Sequence, residues 1–277
     1  MKASAFEYER PGDLNGVIAL TSRSDLTIKI LAGGQSLGPM LNLRLAQPDV
    51  LIDITHIPEL KRVEERAEAI TLGACVTHAD IEDGRIPDLT RGALPGVARE
   101  IAYRAVRNRG TLGGSLAHAD PAADWISCLA AMGADVSIRG PAGRRTLAAA
   151  ALMTCAFETA LEPGEVIEAI KIPRFSKRAR WGYYKVARKS GEMAQAIGAV
   201  LHDPERAVFR AVMGATESLP IVFSDAAPLV RGGPHAADGF NEDVAAQALD
   251  AAGMTDVVDR RLHIVALKRA IVQAAEA

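Results

Sequence analysis

TIKILAGGQSLGPML, residues 27–41, runs a short β-branched segment directly into a glycine pair. Thr27 to Leu31 reads as a strand, and Ala32-Gly33-Gly34 as the tight turn that ends it. Leu37, Met40, Leu41 and Leu45 then recur at helical intervals, although Gly38-Pro39 limits the helix to a short one. A glycine pair at a strand end brings the backbone close to a neighbour and leaves N–H groups free for an oxygen-rich anion, of which phosphate is the natural example. Ser36 adds a hydroxyl and Gln35 an amide. The same residues also fit a plain strand-to-helix turn that binds nothing.

A second glycine turn follows about 80 residues later: Thr111-Leu112-Gly113-Gly114-Ser115 offers two hydroxyls beside two glycines, and the pair of turns is suited to clamping one pyrophosphate. Neither ends in the Gly-Lys-Ser/Thr of a nucleotide-hydrolysing loop, and neither is a GxGxxG opening a Rossmann crossover. A dinucleotide fold of another kind remains.

Outward from these turns, Val50 to Ile54, Lys61 to Val63 and Ala69 to Leu72 read as strands, and Thr77 as the cap of a short helix through Asp83. Pro87 to Arg104 reads as helical. Asp120-Pro121 has the signature of a helix start leading through Trp125, Ile126, Leu129 and Met132. Ala134 to Arg139 and Arg144 to Leu147 flank a Gly-Pro-Ala-Gly turn and predict a hairpin. Beyond Val166 to Ile172, Pro173 and the cations Lys177, Arg178 and Arg180 mark a domain boundary. Three successive strands (181–186, 194–201, 207–214) and helical patterns at 226–230, 243–252 and 260–274 predict a C-terminal α+β domain with a three-stranded antiparallel sheet.

Composition narrows the function. Of 277 residues, 32 are Lys or Arg and 34 Asp or Glu, so the formal charge of -2 supplies no basic field for nucleic acid. Aromatics at 4% leave few rings for base stacking. With no apolar run of membrane length and an N-terminus unlike a signal peptide, the expected compartment is the cytoplasm. Cys75, Cys128 and Cys155 are too far apart for a metal or cluster site and read as small buried residues, so no metal is expected in this chain.

AGGQSLGPMLNLRLAQPDVLIDIT (32–55) and RAVRNRGTLGGSLAHADPAAD (104–124) closely resemble the FAD-binding medium subunits of molybdenum hydroxylases, the family of xanthine dehydrogenase and aerobic carbon monoxide dehydrogenase. FEYERPGDL (6–14), LEPGEVIEAIKIP (161–173) and YYKVARKSGEMAQA (183–196) extend the resemblance in the same order over nearly the whole chain. It implies an α+β architecture: a two-lobed FAD-binding domain of the vanillyl-alcohol-oxidase/PCMH type over 1–176, with lobes of about 1–57 and 58–176, then the small C-terminal domain over 177–277.

The resemblance also implies a cofactor and a set of contacts. Leu31, Ala32, Gly33, Gly34, Gln35, Ser36 and Leu37, with Thr111, Gly113, Gly114 and Ser115, would surround the FAD pyrophosphate and ribitol. Asp124 would hydrogen-bond a polar edge of the cofactor, Ile101 and Ile167 would be apolar walls, and Lys185 would approach the isoalloxazine. The position of Met193 carries an aromatic residue in some members, so ring stacking is not expected there. His118 faces two readings, proton donor or structural residue, and the structural one is favoured. The implied partners are a large molybdenum-cofactor subunit and a small subunit with two [2Fe–2S] clusters, assembled as a dimer of heterotrimers. Two other functions fit the same turns: a self-sufficient FAD oxidoreductase and a non-catalytic nucleotide-binding scaffold.

Overall fold

The structure, a computed structural model, describes residues 2–232 and 239–277. Its first sheet is parallel, with β1 (Glu7–Glu9) and β2 (Ile28–Leu31) on either side of β3 (Val50–Asp53). β3 is buried throughout, which is why its sequence Val-Leu-Ile-Asp is a near-continuous apolar run rather than an alternating one. Two helices serve as connections. α1 (Leu14–Thr21) starts at Asp13, whose carboxylate accepts the Gly16 N–H at 2.8 Å, and α2 (Leu37–Asn42) follows the first glycine turn.

The second sheet is antiparallel in the order β4-β5-β10-β6-β7. It comprises β4 (Val63–Glu65), β5 (Ala69–Gly73), β6 (Asp135–Gly140), β7 (Gly143–Ala148) and β10 (Val166–Pro173), with β6 and β7 forming the predicted hairpin. A small ribbon of β8 (Met153–Cys155) and β9 (Glu158–Thr159) lies apart from it. Between β5 and β6 run α3 (His78–Glu82), α4 (Ala93–Glu100), α5 (Arg104–Arg107), α6 (Leu112–His118) and α7 (Asp124–Met132). α3 begins with a reciprocal capping box: Thr77 accepts the Asp80 N–H, and Asp80 accepts the Thr77 N–H.

The third sheet is antiparallel and consists of β11 (Arg180–Val186), β12 (Ala196–Asp203), β13 (Val208–Gly214) and β14 (Ile221–Phe223), followed by α8 (Glu242–Ala251) and α9 (Val257–Glu276). β12 is buried along its whole length because helices cover both of its faces, α9 on one side and α7 on the other. α7 is apolar on nearly every side and all of its residues are buried, as a helix packed from all directions must be. Gly182 lets α9 lie directly on the sheet, since a Cβ there would overlap the carbonyl oxygen of Ala270. The packing of α7 against this sheet brings residues 124 and 185 together.

The α+β class and the antiparallel C-terminal sheet agree with expectation, but four local readings need correction. The C-terminal sheet has four strands, not three, because the three-residue β14 after Pro220 is too short to show a period. The helix expected over 87–104 is broken: Arg91, Gly92 and Ala102 adopt positive φ, leaving α4 and α5 separated by a bend. Asp120 holds a turn by accepting the Ala122 N–H at 2.9 Å, and α7 starts later, at Asp124. Cys75 and Cys128 are buried as expected, whereas Cys155 is exposed on the β8–β9 ribbon. Among the described residues no helix is long and apolar enough to cross a membrane.

Candidate functional site

A cleft of about 500 Å³ opens between the β2–α2 turn, the start of α6, the 101–102 bend, the start of α7, and strands β10 and β11. It collects Ala32, Gly33, Gly34, Gln35, Ser36, Leu37, Ile101, Thr111, Gly113, Gly114, Ser115, Asp124, Ile167 and Lys185 from the predicted set. Leu31 does not line it. Its side chain turns away to pack with Leu41, Ala46 and Leu51, because successive strand residues face opposite sides.

The two glycine turns differ in construction. At the first, no described residue accepts from the backbone N–H groups of Ala32, Gly33, Gly34, Gln35 or Ser36. The loop is nonetheless held in shape: the Gln35 amide donates to the Gly33 carbonyl at 3.0 Å, Gly34 adopts φ +73, and the Gly38 N–H reaches the Gly34 carbonyl at 2.9 Å. The second turn is the first turn of a helix rather than a loop. Thr111 caps α6 by accepting the Gly114 N–H at 3.1 Å, while Leu112, Gly113 and Ser115 donate to Val76, Ala74 and Thr111 carbonyls. Apart from the Thr111 N–H, its contribution to the cleft is therefore side chains and wall rather than free backbone donors.

Gly33 owes its identity to the neighbouring loop. A Cβ there would overlap the Arg109 carbonyl and lie 2.7 Å from Gly110 Cα, so the two glycine segments touch only because Gly33 has no side chain. The bend at Ile101 and Ala102 is held by Arg107. Its guanidinium donates to both carbonyls at 2.9 Å and is itself clamped by Glu82, with contacts of 2.7 and 3.0 Å. Opposite this bend, Ile167 is a buried wall residue at the bulge where β10 shifts register against β6.

Lys29, Asp120, Glu165 and Glu192 line the cleft, and with them a buried ion pair. Lys185 Nζ lies 3.0 Å from Asp124 Oδ1 and 3.2 Å from the Glu100 carbonyl, and the side chains of Lys185 and Asp124 are each only 7% exposed. Tyr183 also donates its hydroxyl to Asp124, and burial, reinforced by that carboxylate, pushes the phenol well above its ordinary range. Lys185 is thus a paired cation with a fixed position in the cleft.

His78 lines the same cleft and is not recognisable from the sequence, where it reads only as the first residue of a capped helix. It is 4% exposed, and its Nδ1 accepts the indole N–H of the fully buried Trp125 at 3.1 Å. Burial first, and then nearby Arg107, lowers the imidazole from 6.5 to about 4. His118 also lines the cleft, with its ring tilted against Phe157 at 5.3 Å between centroids. Met193 sits at the mouth, 56% exposed, on a segment where Glu192 pairs with Arg188 and Lys189.

This combination of unpaired backbone donors, apolar walls and a buried ion pair fits a long, anionic, flat-ringed ligand such as FAD. Comparison with known proteins gives the same answer. Residues 4–175 match the family described as "FAD binding domain in molybdopterin dehydrogenase". The carbon monoxide dehydrogenase medium chain of Hydrogenophaga pseudoflava is 39% identical over 196 residues, which covers 71% of this chain and 68% of that one. The nicotine 6-hydroxylase medium subunit of Paenarthrobacter nicotinovorans is 40% identical over 201 residues, covering 73% and 70% respectively. Among solved structures, quinoline 2-oxidoreductase from Pseudomonas putida 86 superimposes with a TM-score of 0.85 at 32% identity, covering 100% of this chain and 99% of that one. The chain belongs to the FAD-binding medium subunits of the molybdenum hydroxylases.

Proposed function

We propose that this subunit is an electron relay: its FAD takes electrons from the [2Fe–2S] clusters of a small partner subunit and passes them to an external acceptor, while a large molybdenum-cofactor subunit oxidises the substrate. The observation that carries this reading is the run of unpaired N–H donors from Ala32 to Ser36, which opens into the same cleft as the buried Asp124–Lys185 pair. FAD, once bound, supplies redox chemistry in one- and two-electron steps.

The residues divide the work of holding it. The free N–H groups of 32–36 and the Ser36 hydroxyl would hold the pyrophosphate, with Leu37, Thr111, Gly113, Gly114 and Ser115 closing the cleft around it. Ile101 and Ile167 would flank the apolar part of the cofactor. Asp124 keeps Lys185 in place, and Lys185 would supply a fixed positive charge that favours the anionic reduced form of the ring. The proposed division at residue 176 is supported by the family match ending at 175 and by the third sheet beginning at Arg180. The relatives are named as medium chains or subunits, which supports assembly with large and small partners. We place the complex in the cytoplasm as a dimer of heterotrimers.

The test is an absorption spectrum of the purified chain reconstituted with FAD, followed by reduction and mixing with a reduced [2Fe–2S] partner subunit. Stoichiometric flavin that accepts electrons from the partner is expected. Flavin reduced directly by a small organic substrate would instead establish a self-sufficient oxidoreductase, and failure to bind flavin would return the chain to a scaffold role.

A further inference from the structure

One polar side chain facing the cleft has no task in the relay. His78 is 96% withdrawn from solvent by its 4% exposure, yet only one of its ring nitrogens has a partner in the chain. Trp125 Nε1 is a donor and nothing else, so the nitrogen it reaches, Nδ1, must carry a lone pair. The imidazole proton is therefore on Nε2. Protonating Nδ1 as well would set one N–H against another, so the Trp125 contact holds the ring in its neutral tautomer.

Gly110 lies against that edge of the ring. The His78 backbone N–H donates to the Gly110 carbonyl at 2.9 Å, and a Cβ built on Gly110 would lie 2.9 Å from Nε2. Gly110 is also the residue whose Cα faces Gly33 across the contact between the two glycine segments. Nε2 therefore lies beside the turn whose backbone donors are unpaired, on a residue that lines the cleft. Among the described residues nothing accepts from it, and Nε2 is not one of the sealed, unpartnered polar atoms of the interior, so it is open to the cleft, where a ligand oxygen can accept from it.

We propose that His78 Nε2–H donates a hydrogen bond to an oxygen of the ribityl-pyrophosphate part of the bound dinucleotide, with Trp125 as the positioning residue that keeps it a donor. The proposal rests on the FAD reading of the cleft. It assigns His78 to cofactor retention and leaves the redox chemistry elsewhere.

The experiment uses the full-length apo chain, FAD titrated with fluorescence detection, and ¹⁵N-histidine NMR. His78→Phe fills the ring volume without a donor and should weaken FAD binding about 10- to 100-fold, the range expected on losing one hydrogen bond to a charged oxygen. His78→Gln, which can both accept from Trp125 and donate, should recover most of the loss. In the unmodified chain the Nε2 resonance should have protonated character before FAD is added and shift on saturation. Wild-type FAD binding with an unmoved Nε2 resonance, or a His78→Phe variant that binds FAD normally, would overturn this proposal alone. A wild-type chain that binds no FAD would overturn the cofactor reading, and this proposal with it.

Discussion

Separating the Asp124–Lys185 pair should have two effects, one on stability and one on flavin potential, and the two partners should act in opposite directions on the second. At 3.0 Å with both side chains 7% exposed, the pair has a Coulombic attraction of about 5 kcal/mol at an effective dielectric constant of 20. Desolvation offsets much of this in the intact protein, but it does not disappear when one partner is removed. Lys185→Ala leaves a buried carboxylate whose remaining donor is the Tyr183 hydroxyl, and should cost about 3–5 kcal/mol at neutral pH. The double variant Asp124→Asn, Lys185→Ala should recover much of that loss, because no buried charge is left unpaired. Urea unfolding of the four chains gives the coupling energy. In the FAD-loaded chains, Lys185→Ala should lower the flavin reduction potential, since an unpaired negative charge opposes the anionic reduced form, and Asp124→Asn should raise it. A coupling energy below about 1 kcal/mol, or potentials that move in the same direction, would refute this account of the pair.

Gly33→Val should expel FAD and lower stability because its side chain would overlap the Arg109 carbonyl; Gly38→Ala, where an added Cβ meets nothing within 4 Å, should retain flavin normally. Flavin content after gel filtration distinguishes the two. Arg107→Gln should release the carbonyls of Ile101 and Ala102, measured as faster amide exchange over 101–103, with weaker flavin binding as its consequence. His78 should make stability pH-dependent. Its folded value of about 4 lies below the ordinary 6.5, so the unfolded chain takes up the proton first. Its contribution is complete above about pH 6.5 and is lost as the pH falls towards 4, by about 3 kcal/mol in all. Unfolding free energies from urea melts at pH 7.5 and 4.5 should differ by about 2.5 kcal/mol more in the wild type than in His78→Gln.

The strands around the first turn, the β6–β7 hairpin, the Thr77 cap and the α7 core positions follow from local chemistry. Branched residues, turn glycines and capping hydroxyls act within a few positions of themselves, so their pattern can be read along the chain. The family motifs likewise identified the cofactor class and most of the cleft lining before any contact was known. Tertiary structure decided how those residues work. Gly33 reads locally as an anion-binding glycine, yet its missing side chain is required by Arg109 and Gly110. The sequence assigns Lys185 no ion partner because Asp124, 61 positions away, meets it only when α7 packs on the third sheet. The second glycine run became a helix because Val76 and Ala74, also distant in sequence, accept its first N–H groups. His78 had no signal in the sequence at all, since its tautomer depends on an indole 47 positions away. Local propensity encodes elements and turn chemistry; burial, ion pairing and the loss of hydrogen-bond partners arise only when distant segments share one space.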